Sequence, residues 1–227
     1  MLILFSLACS SSYIAGPDAL DALLSGELTT VTIESDWIVF EPTNNSSDIG
    51  VAFYPGGKVE AEAYAPILRQ LSDAGITTYL LSLPADLAIL DQNAVLDVFD
   101  IDPREQWIVS GHSLGGVAAA KMAGQESNIV GLSLWASYPA SSVDLSNSNL
   151  VVQSLIGSND GVVNWENWND SSNQLPSSTS WMTIEGGNHS QFGDYGLQTD
   201  DGIAAITAEE QWTATSSAIL ALIESLP

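Results

Sequence analysis

Six short, largely apolar runs separated by helical patterns are the feature that most constrains the fold of this 227-residue chain. Runs of this kind are typical of strands that are buried on both faces of a parallel sheet. Consecutive parallel strands need a crossover connection, which is usually a helix. The sequence therefore predicts an α/β fold with a doubly wound, mostly parallel sheet. The predicted strands cover residues 49–54, 76–83, 107–109, 130–136, 150–156 and 181–184.

Four helical patterns accompany these runs. The clearest is a stripe of apolar residues at i, i+3, i+4 and i+7, which starts at Tyr64 and is ended by Gly75. The other patterns predict helices over residues 87–98, 114–123 and 208–226. Strand and helix patterns thus alternate along most of the chain, as a doubly wound sheet requires.

The residues before the first apolar run follow a different pattern. Residues 29–35 and 37–41 alternate apolar and polar side chains, which predicts an N-terminal antiparallel hairpin. Stretches rich in serine and asparagine predict surface loops, because strand or helix patterns resume directly after each of them. These loops cover residues 43–48, 141–149 and 169–180. We therefore predict one α/β domain over residues 29–227, preceded by a tether or N-terminal segment over residues 9–28.

The first eight residues, MLILFSLA, are apolar and are followed by Cys9 and three serines. This segment resembles the end of a bacterial lipoprotein signal peptide, although no basic residue precedes the apolar run. The resemblance implies export, with a lipid anchor at Cys9 or a periplasmic or extracellular location. The alternative is a disordered or core-packed N-terminus with an incidental cysteine. The chain has one cysteine, so an intrachain disulfide is excluded.

The charge balance limits the partners and the metal chemistry of the chain. Its 28 acidic and four basic residues give a formal net charge of −24, although only 14% of residues are charged. Such a chain is repelled by phosphate backbones, which excludes a nucleic-acid partner. Either a saline or extracellular habitat or the composition of the lineage would explain the scarcity of lysine and arginine. One cysteine and two histidines cannot build a structural zinc site, and we predict no metal and no cofactor.

The segment Gly111-His112-Ser113-Leu114-Gly115 is a G-x-S-x-G motif between a predicted strand and a predicted helix. In this context, the serine lies on a sharp, strained turn, and side chains two residues before and after it would collide. The serine hydroxyl then stands free at the start of a helix, whose amides favour developing negative charge. The pattern predicts a nucleophile at Ser113. The alternative is a glycine-rich connection with an incidental serine.

A serine nucleophile needs a general base and a group that orients the base. His112 adjoins the serine, and the turn directs neighbouring side chains elsewhere, which leaves His189. Three aspartates lie between the serine and this histidine, and only Asp160 directly follows an apolar strand. The other two are Asp144 and Asp170. The order Ser113, Asp160, His189 is the order in α/β-hydrolases.

These motifs, together with the segment Phe53-Tyr54-Pro55-Gly56-Gly57-Lys58, resemble the small, lidless α/β-hydrolases that include dienelactone-hydrolase-like esterases. The resemblance extends from residue 49 to the end of the chain. It implies that two backbone amides hold the oxyanion, namely those of Gly57 and Leu114. Gly56 is the alternative donor within the glycine pair.

The predicted connection between residues 136 and 150 is too short for the cap domain that is often inserted there in this fold. An open cleft suits small or exposed acyl groups, and Tyr138, Trp165 and Trp168 are candidates to line it. We therefore expect a serine hydrolase that cleaves small, neutral carboxylic esters through an acyl-enzyme intermediate. An acyltransferase or peptidase would use the same residues, and a non-catalytic binding module is the alternative from another class. The sequence does not indicate an oligomeric state.

Overall fold

The computed structural model describes residues 12–44 and 46–226. The predicted signal segment and Cys9 lie outside the described residues, so the lipid anchor stays a prediction. Eight strands in the described part of the chain form one sheet. They are β1 (Thr29–Ile33), β2 (Trp37–Pro42), β3 (Ile49–Tyr54), β4 (Thr77–Leu81), β5 (Gln106–His112), β6 (Ile129–Trp135), β7 (Val151–Gly157) and β8 (Ser180–Ile184).

The sheet has the order β1-β2-β4-β3-β5-β6-β7-β8. All pairs from β4 through β3 to β8 are parallel, whereas β1 pairs with β2 and β2 with β4 in the antiparallel sense. The predicted α/β class, the mostly parallel sheet and the N-terminal hairpin are therefore confirmed.

The described residues form six α-helices. They are α1 (Pro17–Ala22), α2 (Ala65–Asp73), α3 (Val95–Ile101), α4 (Leu114–Ala123), α5 (Trp165–Asp170) and α6 (Ala208–Glu224). Helices α1 and α5 have six residues each, too few to show a helical period, and the sequence did not predict them. Because α5 and a following 3-10 turn occupy residues 165–173, the loop predicted over 169–180 is wrong in its first part.

The helix predicted over residues 87–98 is also wrong in its first half. Two 3-10 turns, Pro84–Asp86 and Ala88–Leu90, precede α3, which begins only at Val95. The backbone is extended at Leu87, with φ −132° and ψ 107°, and it leaves helical geometry again at Asp91. The apolar spacing in this segment therefore reflects contacts of successive turns with the core and not one helix.

The core lies on both faces of the sheet, which explains why the central strands are almost wholly apolar. One face packs against α2 and α6 and contains Phe53 and Tyr64. The other face packs against α3 and α4 and contains Tyr54 and Trp107. Neighbouring residues on β3 thus point to opposite faces, as strand geometry requires.

The connection between β6 and β7 contains no cap domain. Residues 136–150 connect β6 to β7 without forming a helix or a strand. Within the described ranges, no helix is both long enough and apolar enough to cross a membrane.

Candidate active site

Ser113 is the single residue between β5 and α4, and its backbone is strained. Its φ of 50° and ψ of −120° lie in a region that residues with a side chain rarely adopt. Two hydrogen bonds hold the turn: the Ser113 N–H donates to the carbonyl oxygen of Trp135 over 2.9 Å, and the Ser137 hydroxyl donates to the carbonyl oxygen of Ser113 over 2.6 Å. The end of β6 therefore supports the turn.

The glycines on either side of Ser113 are required by close backbone packing. A Cβ atom on Gly111 would lie 2.5 Å from the carbonyl carbon of Gly115. A Cβ atom on Gly115 would lie 2.2 Å from the carbonyl oxygen of Tyr54. Backbone atoms cannot yield by this much, so the expectation that side chains would collide at both positions is confirmed.

Asp160 and His189 meet on neighbouring loops, after β7 and β8. The His189 Nδ1 atom lies 2.8 Å from Asp160 Oδ2, and both side chains are buried. The other carboxylate oxygen, Oδ1, accepts the N–H groups of Val162 and Val163 over 2.9 and 2.8 Å. A carboxylate at Nδ1 favours the tautomer that carries the proton on Nδ1, which leaves a lone pair on Nε2.

The structure brings Ser113 and His189 to the same cavity, without a hydrogen bond between them. The cavity has a volume of about 290 Å³. Its walls include the apolar side chains of Val117, Val162 and Val163. The Nε2 atom of His189 is buried and has no hydrogen-bond partner in the described part of the chain. Within the described residues, no other protein group therefore competes for the Nε2 atom of His189, the residue that the sequence predicts as the base.

The two predicted oxyanion donors are also neighbours. A Cβ atom on Gly57 would lie 3.0 Å from Cδ2 of Leu114, which places the two residues in contact. The N–H groups of Gly57 and Leu114 have no acceptor among the described residues, whereas the Gly56 N–H donates to the Tyr64 hydroxyl over 3.0 Å. Of the glycine pair, Gly57 is thus the one with a free amide.

His112 lies closer to the predicted base than the sequence indicated. Its ring centroid is 4.4 Å from that of His189, and its Nδ1 atom is 2.8 Å from the Tyr64 hydroxyl. Burial lowers the pKa of His112 well below the ordinary value of 6.5, and the neighbouring His189 lowers this pKa further. His112 is therefore neutral near pH 7.

Asp201 is a residue of this site that the sequence analysis missed. Its Oδ1 atom accepts the N–H groups of Gly161, His189 and Gly202, and its Oδ2 atom accepts both the N–H and the hydroxyl of Ser190. It thus joins the loop of Asp160 to the loop of His189. No local pattern distinguishes it, because it is one of many aspartates in a loop of an acidic chain.

Of the aromatic residues predicted to line the site, only one lines the cavity in the structure. Tyr138 lines the cavity with Ser113, as predicted. Trp165 donates its indole N–H to the carbonyl oxygen of Asp160 over 3.0 Å, so it supports the turn that carries Asp160. Trp168 is buried and donates to the Ser154 hydroxyl. Asp144 is exposed and accepts the N–H of Ser146 in a local turn.

Comparisons with known proteins agree with this architecture. A search of curated proteins gave no significant match. Among solved structures, a "predicted CIB-like hydrolase" from Thermoplasma acidophilum has a TM-score of 0.65 at 16% identity, over 84% of this chain and 98% of that chain. Carboxylesterase CesB from Bacillus subtilis has a TM-score of 0.64 at 10% identity, over 90% and 94%. Naproxen esterase from the same organism has a TM-score of 0.62 at 12% identity, over 91% and 94%.

These structural likenesses concern the fold, because all three identities are low. The sequence itself matches the family model described as the alpha/beta hydrolase family over residues 50–213, which is more than half of its length. The chain therefore belongs to the alpha/beta hydrolase family.

Proposed function

We propose that this chain is a serine hydrolase that cleaves carboxylic esters through an acyl-enzyme intermediate. One observation carries the proposal. The buried carboxylate of Asp160 holds the Nδ1 side of His189, while His189 shares a cavity with Ser113 on its strained turn. Nucleophile, base and orienting group are thus gathered from three loops at one edge of the sheet, which is the arrangement that activates a serine.

In the proposed reaction, the Ser113 hydroxyl attacks the acyl carbon of the ester, and His189 Nε2 takes the hydroxyl proton. The new bond to the acyl carbon moves an electron pair onto the carbonyl oxygen of the ester, and this oxyanion accepts hydrogen bonds from the N–H groups of Gly57 and Leu114. The carbonyl then re-forms, the bond from the acyl carbon to the alkoxy oxygen breaks, and His189 gives its proton to this oxygen. The alcohol leaves, and the acyl group remains on Ser113. A water molecule attacks this acyl-enzyme, His189 takes the proton of the water, and Ser113 leaves with that proton as the acid is released. Asp160 stabilises the imidazolium in both steps.

The missing hydrogen bond between Ser113 and His189 is compatible with this reaction. Hydrogen bonds of a catalytic base are often long without substrate and shorten when substrate is bound. His189 Nε2 has no competing partner in the described residues, so it is available to the Ser113 hydroxyl.

The size and lining of the cavity support small, neutral esters as the substrate class. At about 290 Å³, with Val117, Val162 and Val163 in its wall, the cavity suits a short apolar acyl group. The net charge of −24 disfavours anionic substrates. Two of the similar structures are esterases by name, which supports esters among the possible acyl substrates.

Ser113→Ala tests the proposal, with Ser110→Ala as the matched control. Ser110 is a buried serine on β5, and its hydroxyl donates to the carbonyl oxygen of Ser133. We expect the wild type and Ser110→Ala to hydrolyse p-nitrophenyl acetate and to react with a fluorophosphonate probe at Ser113. Ser113→Ala should do neither, at an unchanged far-UV circular dichroism spectrum. A wild type that neither reacts with the probe nor hydrolyses esters would indicate a binding module.

A series of p-nitrophenyl esters from acetate to decanoate tests the substrate class. We expect kcat/KM to be highest for the short acyl groups and to fall for chains that exceed the cavity. An increase up to decanoate would contradict the proposal of a small acyl site.

A further inference from the structure

A buried series of hydrogen bonds lies beside the proposed active site and takes no part in the proposed reaction. The Gly56 N–H donates to the Tyr64 hydroxyl over 3.0 Å, and this hydroxyl lies 2.8 Å from His112 Nδ1. The ring of His112 then packs on that of His189, at a centroid distance of 4.4 Å and an angle of 50°. Tyr64, His112 and His189 are all almost completely buried.

The positions of the protons in this series of hydrogen bonds follow from the neighbouring groups. Because the Tyr64 oxygen accepts the Gly56 N–H, its own proton is free to be donated to His112 Nδ1. Burial raises the pKa of the Tyr64 hydroxyl and lowers that of His112. Tyr64 therefore keeps its proton and His112 stays neutral, so both groups beside the proposed base are uncharged.

The Gly56 position is shaped around this contact. A Cβ atom there would lie 2.6 Å from the Tyr64 oxygen and 2.7 Å from His112 Nδ1. The hydroxyl and the ring thus occupy the space where a side chain would stand. Glycine restricts its own backbone very little, so the orientation of the peptide groups at Gly56 and Gly57 must be set by external contacts. The hydrogen bond from Gly56 to Tyr64 is such a contact.

We propose that Tyr64 and His112 are positioning residues. Together they keep the loop at Gly56–Gly57, which carries a proposed oxyanion donor, aligned with the imidazole of His189. We call the hydrogen-bonded pair of Tyr64 and His112 the bridge. Through Tyr64, the bridge fixes the peptide next to the Gly57 amide. Through His112, it supplies a neutral surface that limits rotation of the His189 ring. The inference rests on the proposed function, because it assigns to these residues the alignment of the proposed oxyanion donor with the proposed base.

Tyr64→Phe tests the bridge, because it removes one hydroxyl and keeps the aromatic packing. Removal of one oxyanion donor typically costs about 10² to 10³ in kcat, and misalignment of one donor should cost about tenfold or more. We expect kcat for p-nitrophenyl acetate to fall by about that factor, while KM changes by less than about twofold, because the alignment matters most in the transition state.

Tyr54→Phe is the matched control. The Tyr54 hydroxyl is also buried, donates to the carbonyl oxygen of Gln92 over 2.7 Å and accepts the N–H of Val95 over 3.3 Å. It lies in the core on the opposite face of the sheet from Tyr64. We expect a similar loss of thermal stability in both variants but a kcat within about twofold of wild type in Tyr54→Phe. An equal kcat in the two variants would overturn the inference.

His112→Phe gives a second, independent test, and it replaces the first if Tyr64→Phe does not fold. Phenylalanine keeps a ring against His189 but cannot accept the Tyr64 proton, so we expect a loss of kcat similar to that of Tyr64→Phe. If both residues act through one bridge, the kcat of the double variant should be no lower than that of the less active single variant. Losses that multiply would show two separate effects and overturn the bridge.

The proposed function and this inference fail in different ways. Activity in Ser113→Ala, or no activity in the wild type, would reject the proposed function. An active wild type, an inactive Ser113→Ala and a normal kcat in both Tyr64→Phe and His112→Phe would reject only the bridge.

Discussion

The Oδ2 atom of Asp160 lies 2.8 Å from the Nδ1 atom of His189. In Asp160→Asn, an amide could present an N–H group to Nδ1 and would favour the tautomer with the proton on Nε2. That imidazole could not take a proton from Ser113. We therefore expect kcat for p-nitrophenyl acetate to fall by about 10³ to 10⁴.

Asp170→Asn is the control for this prediction, because Asp170 is exposed at the end of α5. It should keep the kcat of the wild type. A loss of less than tenfold in Asp160→Asn would contradict the role of Asp160 as the orienting group.

The strained backbone of Ser113 predicts an unusual order of stabilities. With φ at 50°, alanine keeps the strain of the serine, whereas glycine adopts this conformation readily. Strain of this kind costs about 1 to 3 kcal/mol, which outweighs the entropy that glycine gains in the unfolded chain. We expect Ser113→Gly to exceed Ser113→Ala by about 1 kcal/mol in free energy of unfolding, measured with urea.

The order should reverse at Ser110, which lies within β5 in ordinary strand geometry. There, glycine should be less stable than alanine. If alanine were the more stable substitution at both positions, the turn at Ser113 would not be strained in solution.

Asp201 should affect both stability and activity, since it accepts hydrogen bonds from the loops that carry Asp160 and His189. In Asp201→Asn, an NH₂ group must face N–H or hydroxyl donors. Hydrogen bonds to charged groups contribute about 1.5 to 3 kcal/mol each. We expect the free energy of unfolding to fall by about 2 kcal/mol and kcat to fall at least about tenfold.

The neighbouring Asp200 offers a control, because it is exposed and its left-handed backbone, with φ at 68°, suits asparagine. Asp200→Asn should resemble the wild type in urea titrations and in kcat. Equal behaviour of the two variants would mean that Asp201 does not organise the loops.

His112 should make the protein less stable in mildly acidic solution. Because its pKa in the folded chain is well below 6.5, the unfolded chain binds a proton at His112 that the folded chain does not bind. The free energy of unfolding should therefore fall as the pH decreases below about 6.5, with a contribution of about 1.4 kcal/mol per pH unit.

Urea titrations of the wild type and His112→Phe between pH 7 and pH 5.5 isolate this contribution, since phenylalanine does not titrate. The free energy of unfolding of the variant should depend less on pH, by the contribution of about one proton per molecule. If the free energies of unfolding of the two proteins changed with pH in parallel, His112 would bind its proton as readily in the folded chain as in the unfolded chain, which would contradict the prediction.

The site was predicted from the sequence to different degrees. Ser113 follows from a local motif, because the glycines around it report steric needs within a few residues. The pairing of Asp160 with His189 was inferred from strand ends and elimination, and the structure brings the two together. The sequence leaves Gly56 and Gly57 as alternative donors. Only the structure shows that the Gly56 N–H already has an acceptor, the hydroxyl of Tyr64, which lies outside the motif.

The sequence by itself determined the α/β class, the hairpin and the positions of most strands and of α4 and α6, because apolar periodicity and glycine turns act over short distances along the chain. Only the tertiary structure decided the contacts of Asp201 with Gly161 and of Tyr64 with His112, whose partners are 40 and 48 residues away. Hydrogen bonds between distant residues leave no periodic pattern, since either partner alone resembles any other polar or aromatic side chain. They form only when folding brings the two segments together.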